Sequence, residues 1–264
     1  MQHLKVSVIQ SDITWNKPSQ NIERFDTKIN ALDNDTRLIV LPEMFSTGFN
    51  MVPNDVYEMQ NSPTLLWMQK MAEKRQCYIC GSLLFKEDKQ FFNRQFLFSP
   101  DGSFVFYNKK HLFSLAGEDK HFKSDNKRII AQIDNANVLL TVCYDIRFPV
   151  WLRNSFDNGA FAYDMIICVA NWPAIRAFPW RVLLQARAIE NQAFVVAANR
   201  VGADANNIPH SGNSMIINPK GEILAEATPY EEETINSLLD FNDLIEFRKR
   251  FAIAPDWDKF EFTI

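Results

Sequence analysis

The sequence predicts an α/β fold with mixed sheets, built as a single domain over residues 1–264. Three observations carry this. Short apolar segments alternate with segments of helical periodicity along the chain. Two Pro-x-Gly turns sit between strand-like runs, which requires antiparallel hairpins within the alternating order. No linker, low-complexity tract or long charge run divides the chain.

The elements follow in order. LKVSVIQ (4–10) is the first strand. Asn16 is expected to cap a helix in which Ile22, Phe25, Ile29 and Leu32 recur at helical spacing. RLIVLP (37–42) is the next strand. Ser62-Pro63 opens a second helix, with a capping hydroxyl followed by proline and with Leu65, Met68 and Ala72 on one face. YICGSLLF (78–85) is a strand, and FLFSPDGSFVFY (96–107) reads as a hairpin. NVLLTVC (137–143), MIICVA (165–170) and AFVVAAN (193–199) are buried strands. Between them, helices are expected at 149–158 and 178–191, with Pro149 and Pro179 in their first turns and Gly159 stopping the former. MIINPKGEILAE (215–226) is the second hairpin. The tail, 255–264, has aromatic residues without a period and is expected to pack on a neighbour.

Composition narrows the class. Apolar residues make up 47% of the chain, enough for a sizeable core. The net charge of −4, with signs interspersed, argues against a nucleic-acid surface. The N-terminal segment turns polar too soon for a secretion signal, and no apolar run reaches the length of a membrane span. The expected compartment is the cytoplasm, with the four cysteines (77, 80, 143, 168) reduced. Cys77 and Cys80 satisfy C-x-x-C, but on a strand residues three apart face opposite sides, so a shared metal is not expected. Cys168 reads as core.

Chemistry is suggested at three segment ends. LIVL runs into Pro42 and Glu43, LLTV runs into Cys143, and FYNKKHLF places Lys109 and Lys110 after a hairpin strand. Singly, each has a plain structural explanation: a packed thiol, a solvated loop carboxylate, an edge-protecting lysine pair. Together they make a thiol nucleophile, a base and a cation. None of the four histidines lies in a papain-like or caspase-like signature around Cys143, so a carboxylate is the expected proton acceptor. Burial raises a glutamate towards neutrality, and an ammonium stabilises both a thiolate and a tetrahedral oxyanion.

These residues resemble the nitrilase, or carbon–nitrogen hydrolase, superfamily. The family's catalytic Glu, Lys and Cys match Glu43 in LIVLPEMFSTGF, Lys110 in YNKKHLF and Cys143 in LLTVCYDIRFPVW. NWP (171–173), LLQARAIENQAFVVAANRVG (183–202) and SGNSMIINPKGEIL (211–224) extend the likeness over nearly the whole chain. The resemblance implies a four-layer α-β-β-α sandwich that pairs into an eight-layer dimer. It also implies a second active-site glutamate, best matched by Glu118 in SLAGEDKHF. In the expected reaction Glu43 takes the Cys143 proton, the oxyanion sits between Lys110 and the Tyr144 backbone N–H, and a thioester is hydrolysed by water. Neither a metal nor an organic cofactor is called for.

Within the superfamily, LPEMFSTGF, KKHLF, CYDIRFP and the NWP-to-ENQ run look most like the omega-amidase branch, whose substrates are short dicarboxylate monoamides. A carboxylate-bearing substrate calls for a second cation, and Arg147 and Arg176 are the candidates. Arg147 has an alternative role as a structural partner of Asp145 or of a helix-end carboxylate. Phe45, Phe113, Tyr144 and Trp172 are expected as pocket walls. Nitriles, N-carbamoyl amino acids or aliphatic amides are alternative substrates for the same three residues, and a catalytically silent binding protein is the alternative from another class.

Overall fold

The computed structural model describes residues 3–261. Its strands and helices run, in chain order, β1 (His3–Gln10), α1 (Pro18–Asn30), β2 (Leu38–Val40), α2 (Pro63–Arg75), β3 (Tyr78–Glu87), β4 (Gln90–Phe98), β5 (Phe104–Asn108), α3 (Glu118–His121), β6 (Ile130–Ile133), β7 (Ala136–Val142), α4 (Pro149–Leu152), β8 (Phe156–Asp157), β9 (Ala160–Phe161), β10 (Met165–Ala170), α5 (Ala177–Asn191), β11 (Phe194–Asn199), β12 (Val201–Ala203), β13 (Pro209–Ser211), β14 (Met215–Ile217), β15 (Ile223–Glu226), β16 (Glu233–Asp240) and α6 (Phe241–Arg250).

Two six-stranded sheets form the centre, in the orders β16-β1-β2-β3-β4-β5 and β15-β14-β11-β10-β7-β6. Each has three parallel strands in its middle and antiparallel strands outside, so both are mixed as expected. Period-two alternation sorts the first sheet's side chains. Leu4, Val6, Val8, Leu38, Val40, Tyr78 and Cys80 face the second sheet and share its core. Ile9, Ile39, Leu41, Cys77 and Ile79 turn the other way, onto Phe25 and Ile29 of α1 and Leu65, Met68 and Ala72 of α2. Cys77 and Cys80 therefore lie on opposite faces, and all four cysteines are buried and free. Helix α5 covers the second sheet with Trp180, Leu184 and Ala188. The layers run helices, sheet, sheet, helix. Burial of each large aliphatic side chain contributes about 1.5–3 kcal/mol to holding them.

Local signals decide most boundaries. The Ser62 hydroxyl accepts from the Leu65 N–H, Pro63 takes the first turn, and left-handed Gln76 ends α2. Helix α5 starts one residue before its expected position. Asn16 is not the cap of α1: that position is Lys17, and Asn16 is itself left-handed (φ 53°), donating its N–H to the Thr47 carbonyl. The helix expected over 149–158 ends at Leu152. Asn158 and Gly159 both have positive φ (52° and 81°), which forms the two-residue turn of the β8–β9 hairpin in place of a helix stop. Before that turn, Asn154 pulls the chain onto the end of α5 by bonding Asn191 through both backbone and side chain.

In the tail, Trp257 packs on its own chain, meeting the Phe161 ring edge-on and lying under the Arg153 guanidinium. Residues 262–264 lie outside the described residues. Among the described residues no helix is long and apolar enough to cross a membrane.

Candidate active site

Four segments bring functional side chains to one end of the inter-sheet layer. The segment after β2 carries Glu43, the segment after β5 carries Lys109, α3 carries Glu118, and the turn after β7 carries Cys143. Cys143 itself is left-handed (φ 47°), as is Met44 (φ 44°) beside Glu43. For residues other than glycine such a backbone costs about 1–3 kcal/mol and persists only where its surroundings impose it. Asp145 supplies that restraint at the cysteine turn. Its Oδ2 accepts from the Val142 N–H (2.9 Å) and the Tyr107 hydroxyl (2.9 Å), and its Oδ1 accepts from the His111 N–H (3.0 Å) and pairs with His111 Nδ1 (2.8 Å). Arg187 of α5 holds the far side of the turn, donating twice to the Ile146 carbonyl (2.9 and 2.6 Å).

The lysine expected here, Lys110, is not the one present. Lys109 is fully buried, with Nζ 2.9 Å from Glu43 Oε1 and 2.9 Å from Glu118 Oε2. Lys110 Nζ instead bonds Asn126 and lies 5.6 Å above the Trp151 ring. The reason is alternation beyond β5. Inward-facing Tyr107 and Lys109 share a face, whereas Lys110 falls on the other. The β4–β5 register confirms the placement, because the Lys109 N–H donates to the Asn93 carbonyl across the hairpin (3.0 Å).

Glu118 is fully buried beside Lys109. Its Oε2 also accepts from the Phe113 N–H (2.6 Å). Glu43 is gripped from the second sheet: its Oε2 accepts from the Asn171 N–H (2.6 Å), and the Asn171 side chain bonds its carbonyl. Asn93 of β4 donates to both carboxylates, at 2.6 Å to Glu43 Oε1 and 3.0 Å to Glu118 Oε1.

Electrostatics follow from this enclosure. Burial pushes the Cys143 thiol well above its ordinary value, and Glu43, its hydrogen-bond partner, adds to the rise while Lys109 opposes it. The resting thiol is therefore protonated at neutral pH. Burial alone would lower Lys109, but Glu118 and Glu43 outweigh it and hold the ammonium charged. Burial also pushes Glu118 up against the pull of Lys109. Both Glu118 oxygens nevertheless accept from N–H donors, the pattern of a carboxylate.

Cys143 opens on a cavity of about 360 Å³ that is apolar over most of its wall. Phe113, Tyr144 and Trp172 line it, and both Arg147 and Arg176 reach it. Arg147 lies 4.8 Å above the Trp172 ring and Arg176 lies 5.2 Å above Phe113. Neither guanidinium forms an ion pair among the described residues, and the four donors on Asp145 leave it no part in binding Arg147. Phe45 is not a wall. It is fully buried in the outer core, edge-on to Phe25 at 5.4 Å and packed so tightly on Gly81 that a Cβ there would come within 2.9 Å of its ring. Phe49 and Met51 take its place at the cavity.

The loop between β12 and β13 closes another side with Asp204, Asn206 and Ile208, followed by His210, whose burial holds it neutral with a pKa of about 4. A separate hollow near Phe241 and Leu244 contains Asp134 and Asp164, but these acids are already paired with Arg37 and Arg248.

Sequence reasoning named Lys109 but preferred its neighbour, and it missed Asn93 and this loop. Lys109 has a signal in its two-residue spacing from Tyr107. Asn93 has only a faint one, a lone amide inside the aromatic strand QFFNRQFLF. The loop has none, because its role depends on where β12 and β13 place it.

Comparison with known proteins gives a consistent result. The family described as carbon-nitrogen hydrolase matches residues 5–249. The chain is 39% identical over 260 residues to the omega-amidase YafV of Escherichia coli K12, covering 98% of this chain and 99% of that one. It is 32% identical over 254 residues to a 2-oxoglutaramate amidase of Bacillus subtilis, covering 95% and 96% respectively. A crystal structure of a CN-hydrolase superfamily protein from Xanthomonas campestris, with an arsenic adduct in its active site, superposes with a TM-score of 0.97 at 34% identity, covering 99% of this chain and all of that one.

Proposed function

Because the chain belongs to the carbon-nitrogen hydrolase family and is a hydrolase of the amidase type, we propose that it is an omega-amidase, cleaving the terminal amide of short carboxylate-bearing monoamides such as 2-oxoglutaramate or 2-oxosuccinamate. The observation that carries this reading is a pair of arginines, Arg147 and Arg176, that have no carboxylate partner among the described residues and lie in the same apolar cavity as Cys143. Two guanidiniums so placed suit a substrate with a carboxylate at the end remote from its amide.

In the proposed reaction Glu43 takes the Cys143 proton as sulfur attacks the amide carbonyl. The oxyanion is met by the Lys109 ammonium and the Tyr144 backbone N–H. Glu43 then passes the proton to the departing nitrogen, the C–N bond breaks, and ammonia leaves a thioester on Cys143. Water, deprotonated by Glu43, attacks the thioester and releases the dicarboxylate, with the thiol reprotonated. Glu118 keeps Lys109 charged and in place through both of its oxygens. No step draws on a metal or an organic cofactor.

We further propose a homodimer in the cytoplasm. Ile175, Phe178, Val182 and Ile189 form an exposed apolar stripe on and just before α5, which supports a partner of the same kind. Four free buried thiols suit a reducing compartment. A sedimentation mass equal to that of one chain would remove the dimer.

The test of function is ammonia release across a panel of 2-oxoacid monoamides, dicarboxylate monoamides, neutral aliphatic amides, N-carbamoyl amino acids and nitriles. The expected result is a kcat/KM preference for the first two classes and no turnover by a folded Cys143→Ala protein. Preference for nitriles or carbamoyl compounds would move the reading to those substrates. A wild-type protein inactive on the whole panel would leave only a binding role.

A further inference from the structure

Two buried glutamates share a single lysine. One positive charge faces two carboxyl groups, and such pairs commonly resolve the conflict by holding a proton between them. A proton held there would disable the base that the proposed amidase reaction needs. The structure contains a different solution. Asn93 Nδ2 has two hydrogens, one directed to Glu43 Oε1 (2.6 Å) and one to Glu118 Oε1 (3.0 Å).

The orientation of that amide is dictated from behind. The Met44 N–H donates to Ser82 Oγ (3.0 Å), so the Ser82 hydroxyl proton is free to point to Asn93 Oδ1 (3.0 Å). Flipping the amide would turn its carbonyl towards two carboxylates and take away the acceptor of the Ser82 hydroxyl proton. The Asn93 carbonyl, meanwhile, anchors the Lys109 backbone. One residue thus touches the base, the second glutamate and the lysine-bearing segment.

We propose that Asn93 is a positioning residue that keeps Glu43 and Glu118 ionised side by side, so that Glu43 is free to take the Cys143 proton. The inference rests on the amidase reading above. The titratable groups facing the pair are Lys109 from the segment after β5 and Cys143 from the turn after β7; the Asn171 and Phe113 backbones and Asn93 itself contribute neutral donors.

The experiment compares the pH dependence of kcat/KM, measured by ammonia release, for wild type, Asn93→Ala and Asn93→Asp, with rates normalised to the Cys143 that iodoacetamide titrates. Losing a donor to the charged forms raises the apparent titration of the coupled pair, so the acid limb should move up by about one pH unit in Asn93→Ala. It should move further in Asn93→Asp, which preserves shape but substitutes an acceptor. KM should change little. A residue acting only through packing gives the opposite order, with the isosteric Asp least harmful, and acid limbs that superpose on wild type; either result overturns the proposal. If both variants fail to fold, Ser82→Ala is measured instead. It frees the amide to rotate and should shift the limb in the same direction by less, and an unmoved limb again overturns it. Wild-type protein inactive on every amide defeats the amidase reading itself, whereas active wild type with unmoved limbs defeats this inference alone.

Discussion

Two polar clusters tie together elements distant in the sequence, and they are built on opposite principles. Beneath Cys143, Lys109 is enclosed by Glu43 and Glu118, and all three side chains are fully buried. At the edge formed by β1, α1 and the β16 end, Arg200, Arg24 and Lys28 meet Asp12 and Glu232, with both acids partly open to water. The edge network is cation-rich, and its exposed members have water as a further partner. The buried cluster has one cation for two anions. Desolvation makes such an arrangement a poor source of stability, and well-packed apolar residues would cost less. A charge imbalance kept in a buried setting makes sense as chemistry, and the adjoining turn is likewise costly, with left-handed Cys143 held by Asp145 and Arg187.

The largest expected effect separates two adjacent lysines. Lys109→Ala should lower kcat by roughly 10²–10³-fold, the scale of losing a donor to a developing oxyanion. It should also cost about 3–5 kcal/mol in urea-induced unfolding, because two buried carboxylates lose their counter-charge. Lys110→Ala should leave kcat/KM where it was. The reverse outcome would return the catalytic role to Lys110 and break the contrast between the clusters.

Next in size is the cavity cation. Arg176→Ala should raise KM for dicarboxylate monoamides roughly tenfold or more, on the scale of a charged hydrogen bond, while neutral amides are unaffected. Equal losses on both kinds of substrate would assign Arg176 to structure and leave Arg147 as the carboxylate partner.

The smallest effect belongs to the edge. Lys28→Ala should change stability by less than about 1 kcal/mol, weaken further in high salt, and leave activity untouched. Glu232 adds a pH signature. Burial alone would raise its carboxyl, but Ser11, the Asp12 N–H, Lys28 and Arg24 together hold it below its ordinary value. A depressed carboxyl contributes stability above its unfolded pKa and loses it as pH falls through the folded one. The edge contribution should therefore vanish only on acidification below the ordinary carboxylate range, and thermal melts from pH 7 to pH 3 of wild type and Glu232→Gln should converge at the acid end. Curves that stay parallel would show that the network does not titrate with folding.

Much of this was legible in one dimension. Strand cores, the Ser62-Pro63 start of α2 and both Pro-x-Gly hairpins are local events, decided by period-two burial, by a hydroxyl beside an open N–H and by turn geometry. Glu43 and Cys143 stood out because polar groups at the ends of buried strands need a reason to be there. The short α4 was misread because Pro149 marks where a helix can begin, whereas its end was set by Asn154 meeting α5 from another part of the chain.

By itself, then, the sequence determined the main strand cores, the start of α2 and the polar groups Glu43 and Cys143 at the ends of apolar runs, since each depends on residues near one another in the chain. Only the tertiary structure decided between Lys109 and Lys110, because adjacent residues leaving a strand point to opposite faces and the hairpin register selects which face meets Glu43. It alone placed Phe45 against Gly81 and Phe49 at the cavity, and it alone brought Asn93 between two glutamates. Those assignments depend on which strands become neighbours, and an Asn in an aromatic strand carries no mark of the carboxylates that folding will bring to either side of it.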